Sequence, residues 1–282
     1  MHPPAQIEGE LRARALIQGA GFTEEIMYIE GSTAPMFAAV TLPLERAPSA
    51  AIVICPSVFE LATLQPTELL LLRRAAADGY AGVYIQPPGV GESGGDPDGT
   101  MVAHRTEAAR AGRRYLAQRV PGIPLCFFGA RFGAAIATRA AEPGQGSGLI
   151  VWDPVFEVAG YMKQIRRLAR ISAVAGGSAA FRDPLHQLRE SGRASILGHD
   201  ITIAQLDDLS TSEVNDYVIE GPALVVTLSD RTGSAVKERF IGASDLELIE
   251  LEGRDLAGLG MSVREAPRAI APTLEWLRRK FG

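Results

Sequence analysis

Cysteine is scarce in this sequence. The 282-residue chain has two, Cys55 and Cys126, each inside an apolar run, which excludes a disulfide framework and a cysteine metal knuckle. Lysine is nearly as rare: Lys163, Lys237 and Lys280 are the only ones. The remaining basic residues are arginine, a bias that with abundant alanine and glycine points to a high-GC bacterial source. No excess of positive charge exists, since Lys+Arg 28 against Asp+Glu 33 gives −5, and a general nucleic-acid binder is excluded on that ground. No apolar stretch reaches the roughly 18 residues of a membrane span. The opening MHPPAQIEGELR carries no signal-peptide core, so the expectation is a soluble, cytoplasmic protein. Repeats, low-complexity tracts, phosphate loops and metal-ligand spacings are absent, and no cofactor is expected. Gly89-Val90-Gly91-Glu92-Ser93-Gly94 partly mimics a dinucleotide fingerprint but follows the wrong strand for it. What is present is an ordinary globular balance of 46% hydrophobic and 22% charged residues.

The hydrophobic pattern alternates between two kinds of segment. Two alternating runs, Glu25 to Ile29 and Met36 to Leu42, flank a turn at Glu30-Gly31-Ser32 and read as a hairpin. From Ala51 the strands become short and wholly apolar: Ala51 to Cys55, Gly82 to Gln86, Leu125 to Phe128, Leu149 to Trp152 and Ala223 to Leu228, with Leu246 to Glu250 closing the series. Such runs mark strands covered on both faces. Helical patterns at Thr67 to Asp78, Met101 to Gln118, an Ala-rich stretch after Gly133, and Leu274 to Phe281 lie between or after them. This predicts an α/β protein with a mostly parallel sheet, right-handed crossovers and helices on both faces. Residues 157–215 are too long for one crossover and read as mostly helical, predicting a helical cap inserted into a core of 1–156 and 216–282. A cap of this kind sits over the C-terminal ends of the strands, where ligands bind in open α/β folds.

Phe128-Gly129-Ala130-Arg131-Phe132-Gly133-Ala134 carries the most information. A strand that ends in G-x-S-x-G and turns sharply into a helix is the nucleophile elbow of the α/β-hydrolases. Here the spacing and both glycines are present, with Arg131 at the centre. Ile52-Val53-Ile54-Cys55-Pro56 resembles the strand that delivers the oxyanion-hole loop, and Pro88-Gly89-Val90-Gly91-Glu92-Ser93-Gly94-Gly95 resembles the glycine loop after the next strand. With Trp152-Asp153-Pro154-Val155 and the terminal Trp276-Leu277, these motifs span nearly the whole chain from residue 25. The chain is similar to α/β-hydrolases of the serine aminopeptidase-like group, and most similar to the exosortase-system-associated hydrolases. The resemblance implies the α/β-hydrolase fold. It places the nucleophile on Arg131, the triad acid on Asp230, and the histidine between Glu252 and Pro267. That window contains none; the four histidines are His2, His104, His186 and His199. A guanidinium stays protonated and is no nucleophile, so Ser-His-Asp acyl transfer is not expected.

Two roles for Arg131 remain open. The first is structural: Arg131 pairs with Asp230, Glu60 or Asp255, because a buried guanidinium without a carboxylate is costly. The second makes it an anion receptor at a helix N-terminus, holding a carboxylate, phosphate or enolate. Asp230 is its candidate catalytic partner, and Ser57, Val58, Phe132, Asp153 and Asp255 are the candidate substrate-binding residues. Cys55 reads as a core residue, His104 as a surface histidine, and His199-Asp200 as an unproven acid/base pair. In the cap, Lys163, Arg166, Arg167 and Arg170 recur at spacings of three and four, giving a basic helix face. It is either a solvated face or a landing site for CoA or an acyl carrier protein. The leading expectation is a ligand-binding accessory protein that holds an acyl-type or other small organic molecule under the cap. A non-hydrolytic cyclase, lyase or isomerase using Arg131 is the second, and a residual esterase or thioesterase the third.

Overall fold

Among the described residues nine strands build one sheet in the order β1-β2-β3-β5-β4-β6-β7-β10-β11. The computed structural model describes residues 15–141, 148–175, 183–212, 217–228, 236, 238–252 and 266–282. The strands are β1 (Ala15–Gly19), β2 (Phe22–Ile29), β3 (Met36–Pro43), β4 (Ala51–Cys55), β5 (Ala81–Ile85), β6 (Leu125–Ala130), β7 (Gly148–Trp152), β10 (Tyr217–Leu228) and β11 (Phe240–Leu251). The helices are α1 (Leu61–Ala77), α2 (Met101–Arg119), α3 (Gly133–Ala140), α4 (Val158–Ala175), α5 (Pro184–Ser191), α6 (Ile203–Thr211) and α7 (Ile270–Phe281). From β5 to β11 all neighbours are parallel, while β1, β2 and β3 form an antiparallel meander that joins β5.

The wholly apolar strands are explained by their two packed faces. Val53 and Phe127 point into one core with α2 and α3, whereas Ile52, Ile54 and Phe128 point into the other with α1 and α7. Alternation cannot appear in sequence when both sides of a strand are dry. The meander behaves differently: β2 alternates its exposure over Ile26–Ile29, and the expected hairpin forms, extended at its open end to Phe22 and Pro43.

Several elements are longer than their patterns suggested. Helix α1 begins at Leu61, six residues before the expected start, and runs through Pro66. Proline removes one helical hydrogen bond, but Leu61 and Leu64 are buried and stabilise the extra turns. Strand β10 starts at Tyr217 and passes a register irregularity around Gly221 and Pro222, the two residues that disguised its first half.

Residues 157–215 fall between β7 and β10 and are not purely helical. Besides α4, α5 and α6 they contain a hairpin of β8 (Arg193–Ile196) and β9 (His199–Thr202). Ile196 pairs with His199 across the two-residue turn Leu197-Gly198, and both turn residues have positive φ, the geometry that matches strand twist. The signal was in the sequence: Ala194 and Ile196 are buried while Arg193 and Ser195 are exposed. Four residues of alternation were outweighed by the helical stretches around them.

Candidate functional site

Backbone packing dictates the turn after β6. A Cβ on Gly129 would lie 2.2 Å from the Gly133 carbonyl oxygen, and one on Gly133 would lie 2.5 Å from that of Cys55. Neither position tolerates a side chain, which explains both glycines of the motif. Between them Arg131 has φ 54°, a left-handed conformation that costs a non-glycine residue about 1–2 kcal/mol. The turn lifts Arg131 off the end of β6 directly ahead of α3.

Arg131 does not reach solvent; it is 1% exposed. Its Nη1 donates to Asp153 Oδ2 at 2.6 Å and to the Asp153 carbonyl at 3.1 Å. Nη2 donates to Gln164 Oε1 at 2.5 Å. Nε lies 3.5 Å from Glu60 Oε1, an ion pair without a hydrogen bond. Glu60 Oε2 in turn accepts from the Ser57 hydroxyl at 2.7 Å and the Tyr161 hydroxyl at 2.6 Å. Phe132 stacks on the Tyr161 ring with centroids 5.6 Å apart. Burial alone would lower the Arg131 pKa, but Asp153, Glu60 and Tyr161 together outweigh it and raise it above its ordinary value. Burial and Glu60 hold the Tyr161 phenol well above the usual range. The cluster is a cation clamped between two carboxylates, closed from above by Tyr161 and Gln164 of α4.

Of the acids expected to pair with Arg131, Glu60 does so, and Asp153 joins it. Asp153, read from sequence as a substrate-binding candidate, makes the direct contact, and Glu60 provides the flank. The reason lies in the sheet: β6 and β7 are parallel neighbours with Ala130 opposite Trp152, so the next residue of each strand meets the other. Asp153 also has positive φ, 46°, and Thr227 of β10 donates to its second oxygen at 3.3 Å. Asp230 and Asp255 lie outside the described residues. Gln164 and Tyr161 went unnoticed, since nothing in a helical cap pattern marks which residues turn toward the sheet.

Cys55 ends β4 fully buried, its thiol raised well above its ordinary pKa by burial and by Glu68; burial pushes Cys126 up to about 12. Neither should be thiolate at neutral pH. We expect no maleimide labelling of the folded protein and two labels per chain after unfolding, read by intact mass.

Val58 lies on a separate cavity of about 210 Å³, walled by the Pro88–Gly99 loop, the start of α2 and the β8–β9 hairpin. His104, Arg105, His199 and Asp200 also line it. On α4, Lys163, Arg166, Arg167 and Arg170 are exposed, and Arg166 is bonded to Asp183. Among the described residues no group of three His, Cys, Asp or Glu side chains is placed to hold a metal ion, and no helix is long and apolar enough to cross a membrane.

No protein-family model matches the sequence, and no curated protein matches it. Solved structures do. Est1E from Butyrivibrio proteoclasticus, solved with ferulic acid bound, is 17% identical with a TM-score of 0.61, covering 90% of this chain and 98% of that one. DcsB, in complex with its substrate analogue, is 14% identical with a TM-score of 0.61, covering 92% of this chain and 99% of its own. The Pyrococcus furiosus esterase PF2001 is 12% identical with a TM-score of 0.59, covering 96% and 97%. With the parallel sheet and its helices on both faces, these likenesses show that the chain has the α/β-hydrolase fold.

Proposed function

We propose that this chain is a non-hydrolytic protein on the α/β-hydrolase fold, similar in its motifs to the exosortase-system-associated hydrolases. It binds a small organic molecule between the sheet and the inserted segment. The observation that carries this reading is the Arg131 clamp. At the tip where acyl-enzymes of this fold form, the side chain is a permanent cation fixed by Asp153, Glu60 and Gln164. It offers no proton for a base to remove, and the sequence from Glu252 to Pro267 holds no histidine to remove one. The nearby Ser57 hydroxyl is spent on Glu60.

The clamp also weighs against the rival in which Arg131 polarises a substrate. All three guanidinium nitrogens already face protein oxygens, so an incoming anion would have to displace a carboxylate in a buried site. A ligand is better accommodated in the cavity beside Val58. The test is covalent: incubation with a serine-directed fluorophosphonate and with p-nitrophenyl esters. We expect no adduct by intact mass and ester release no faster than in buffer. Stoichiometric labelling at one residue would overturn the reading.

A further inference from the structure

Arg105, on α2, is the second fully buried guanidinium, 4% exposed, and it is held very differently from Arg131. Its Nε donates to the Ser57 carbonyl at 2.9 Å, its Nη1 to the Met101 carbonyl at 3.0 Å and its Nη2 to the Val58 carbonyl at 3.5 Å. A guanidinium has five N–H donors; two have no protein acceptor among the described residues, and no carboxylate is hydrogen-bonded to it. Burial lowers its pKa to about 10 against the opposing pull of Tyr161, Asp208 and Glu60, so it remains charged at neutral pH. Buried cations are ordinarily matched by a directly bonded acid. This one lines the 210 Å³ cavity instead.

The rest of the cavity is built around that charge. His199 of β9 and His104 of α2 bring imidazoles from two sides, while Val58, Val90, Met101 and Ile201 supply apolar wall. Gln205 of α6 fastens the loop by donating to the Pro97 and Gly99 carbonyls at 2.7 and 2.9 Å. Gly99 admits the His104 ring against its backbone: a Cβ there would lie 1.9 Å from the ring. The amide end of α2 does not make the site, because Val102 N already donates to Asp208 at 3.0 Å. Burial and then Arg105 push His199 below its ordinary pKa, against a hydrogen bond to the Phe59 backbone and the charge of Glu60, so the ring is a neutral imidazole whose single N–H is already engaged.

We propose that this cavity binds a small organic monocarboxylate, its carboxylate on Arg105 and the His104 imidazole with the His199 ring beside it, its apolar body against Val58, Val90, Met101 and Ile201. The inference rests on the ligand-binding reading above and names the ligand class. Three features select it. The volume lies below the roughly 300 Å³ at which drug-sized pockets begin, which excludes a long acyl chain or a whole CoA. One buried cation matches one negative charge. Asp200 at the exposed rim disfavours a dianion such as phosphate.

The experiment is NMR titration of the full chain with propionate, benzoate and phenylacetate, set against their primary amides. The acids should bind about tenfold or more tightly than the amides, as expected for a charge-assisted contact, and should move the His104 and His199 ring resonances. Arg105→Met should abolish the preference for acids. Because Arg105 also ties down Ser57 and Val58, Val90→Trp serves as the second variant; it fills the cavity from a half-buried position and should weaken the acids about tenfold or more. Equal binding of acid and amide, unchanged binding in Val90→Trp, shifts confined to Tyr161 and Trp152, or no binding at 10 mM of any probe (about 30-fold above a 0.3 mM Kd near −5 kcal/mol) would each overturn the inference. None of these outcomes alters the fluorophosphonate result, so the two readings fail separately.

Discussion

Asp153→Ala should destabilise the protein by about 3–5 kcal/mol, the usual cost of removing one partner from a buried ion pair. Asp153 is 0% and Arg131 1% exposed, and the two are in contact at 2.6 Å. Without the carboxylate, Arg131 keeps Glu60 at 3.5 Å, the backbone carbonyl of residue 153 and the neutral Gln164 amide, too little to offset its desolvation. The double variant Arg131→Met/Asp153→Ala should lose far less than the sum of the single changes, because it removes the stranded charge along with its partner. Chemical denaturation of the four proteins gives the coupling directly. A loss under about 1 kcal/mol for Asp153→Ala would match a solvent-exposed pair and would be incompatible with the clamp.

Glu68→Gln should work in the opposite direction, with an effect that grows with pH. Glu68 points from α1 into the sheet, 1% exposed, and neither carboxyl oxygen has a hydrogen-bond partner among the described residues. Burial, with Glu60 adding repulsion, raises its pKa from 4.5 to about 8. The folded protein therefore holds a proton that the unfolded chain has lost. Its contribution is complete below pH 4.5 and disappears as pH rises through about 8. At about 1.4 kcal/mol per pH unit, this single group removes about 4 kcal/mol across that window. Glutamine is neutral throughout. The difference in unfolding free energy between Glu68→Gln and the parent should thus rise steadily from pH 5 to pH 8, other titrating groups cancelling between the two. A difference independent of pH would show that Glu68 is ionised in the folded state.

Both predictions concern side chains whose significance the linear pattern conceals. Glu68 sits among leucines and looks like a polar residue on an amphipathic helix; only the docking of α1 turns it inward. Asp153 follows a strand as many turn-forming residues do. The pairing of β6 with β7, a contact between segments about twenty residues apart, makes it the counter-ion of Arg131. The basic row on α4 was legible as a row, yet Asp183, thirteen to twenty residues beyond it, binds one of its members.

By itself the sequence determined the alternation of strands and helices, the α/β-hydrolase fold, the sharp turn with arginine at its tip and the lack of a histidine between Glu252 and Pro267. These depend on local features: apolar runs, glycines that permit only one backbone path, and the chemistry of a residue that never loses its proton. Tertiary structure alone decided that Asp153 joins Glu60 around Arg131, that Tyr161 and Gln164 of α4 close over it, and that Arg105 is left facing a cavity with carbonyls for company. Those outcomes depend on strand order and helix docking, which bring together groups tens of residues apart and leave no periodic trace along the chain.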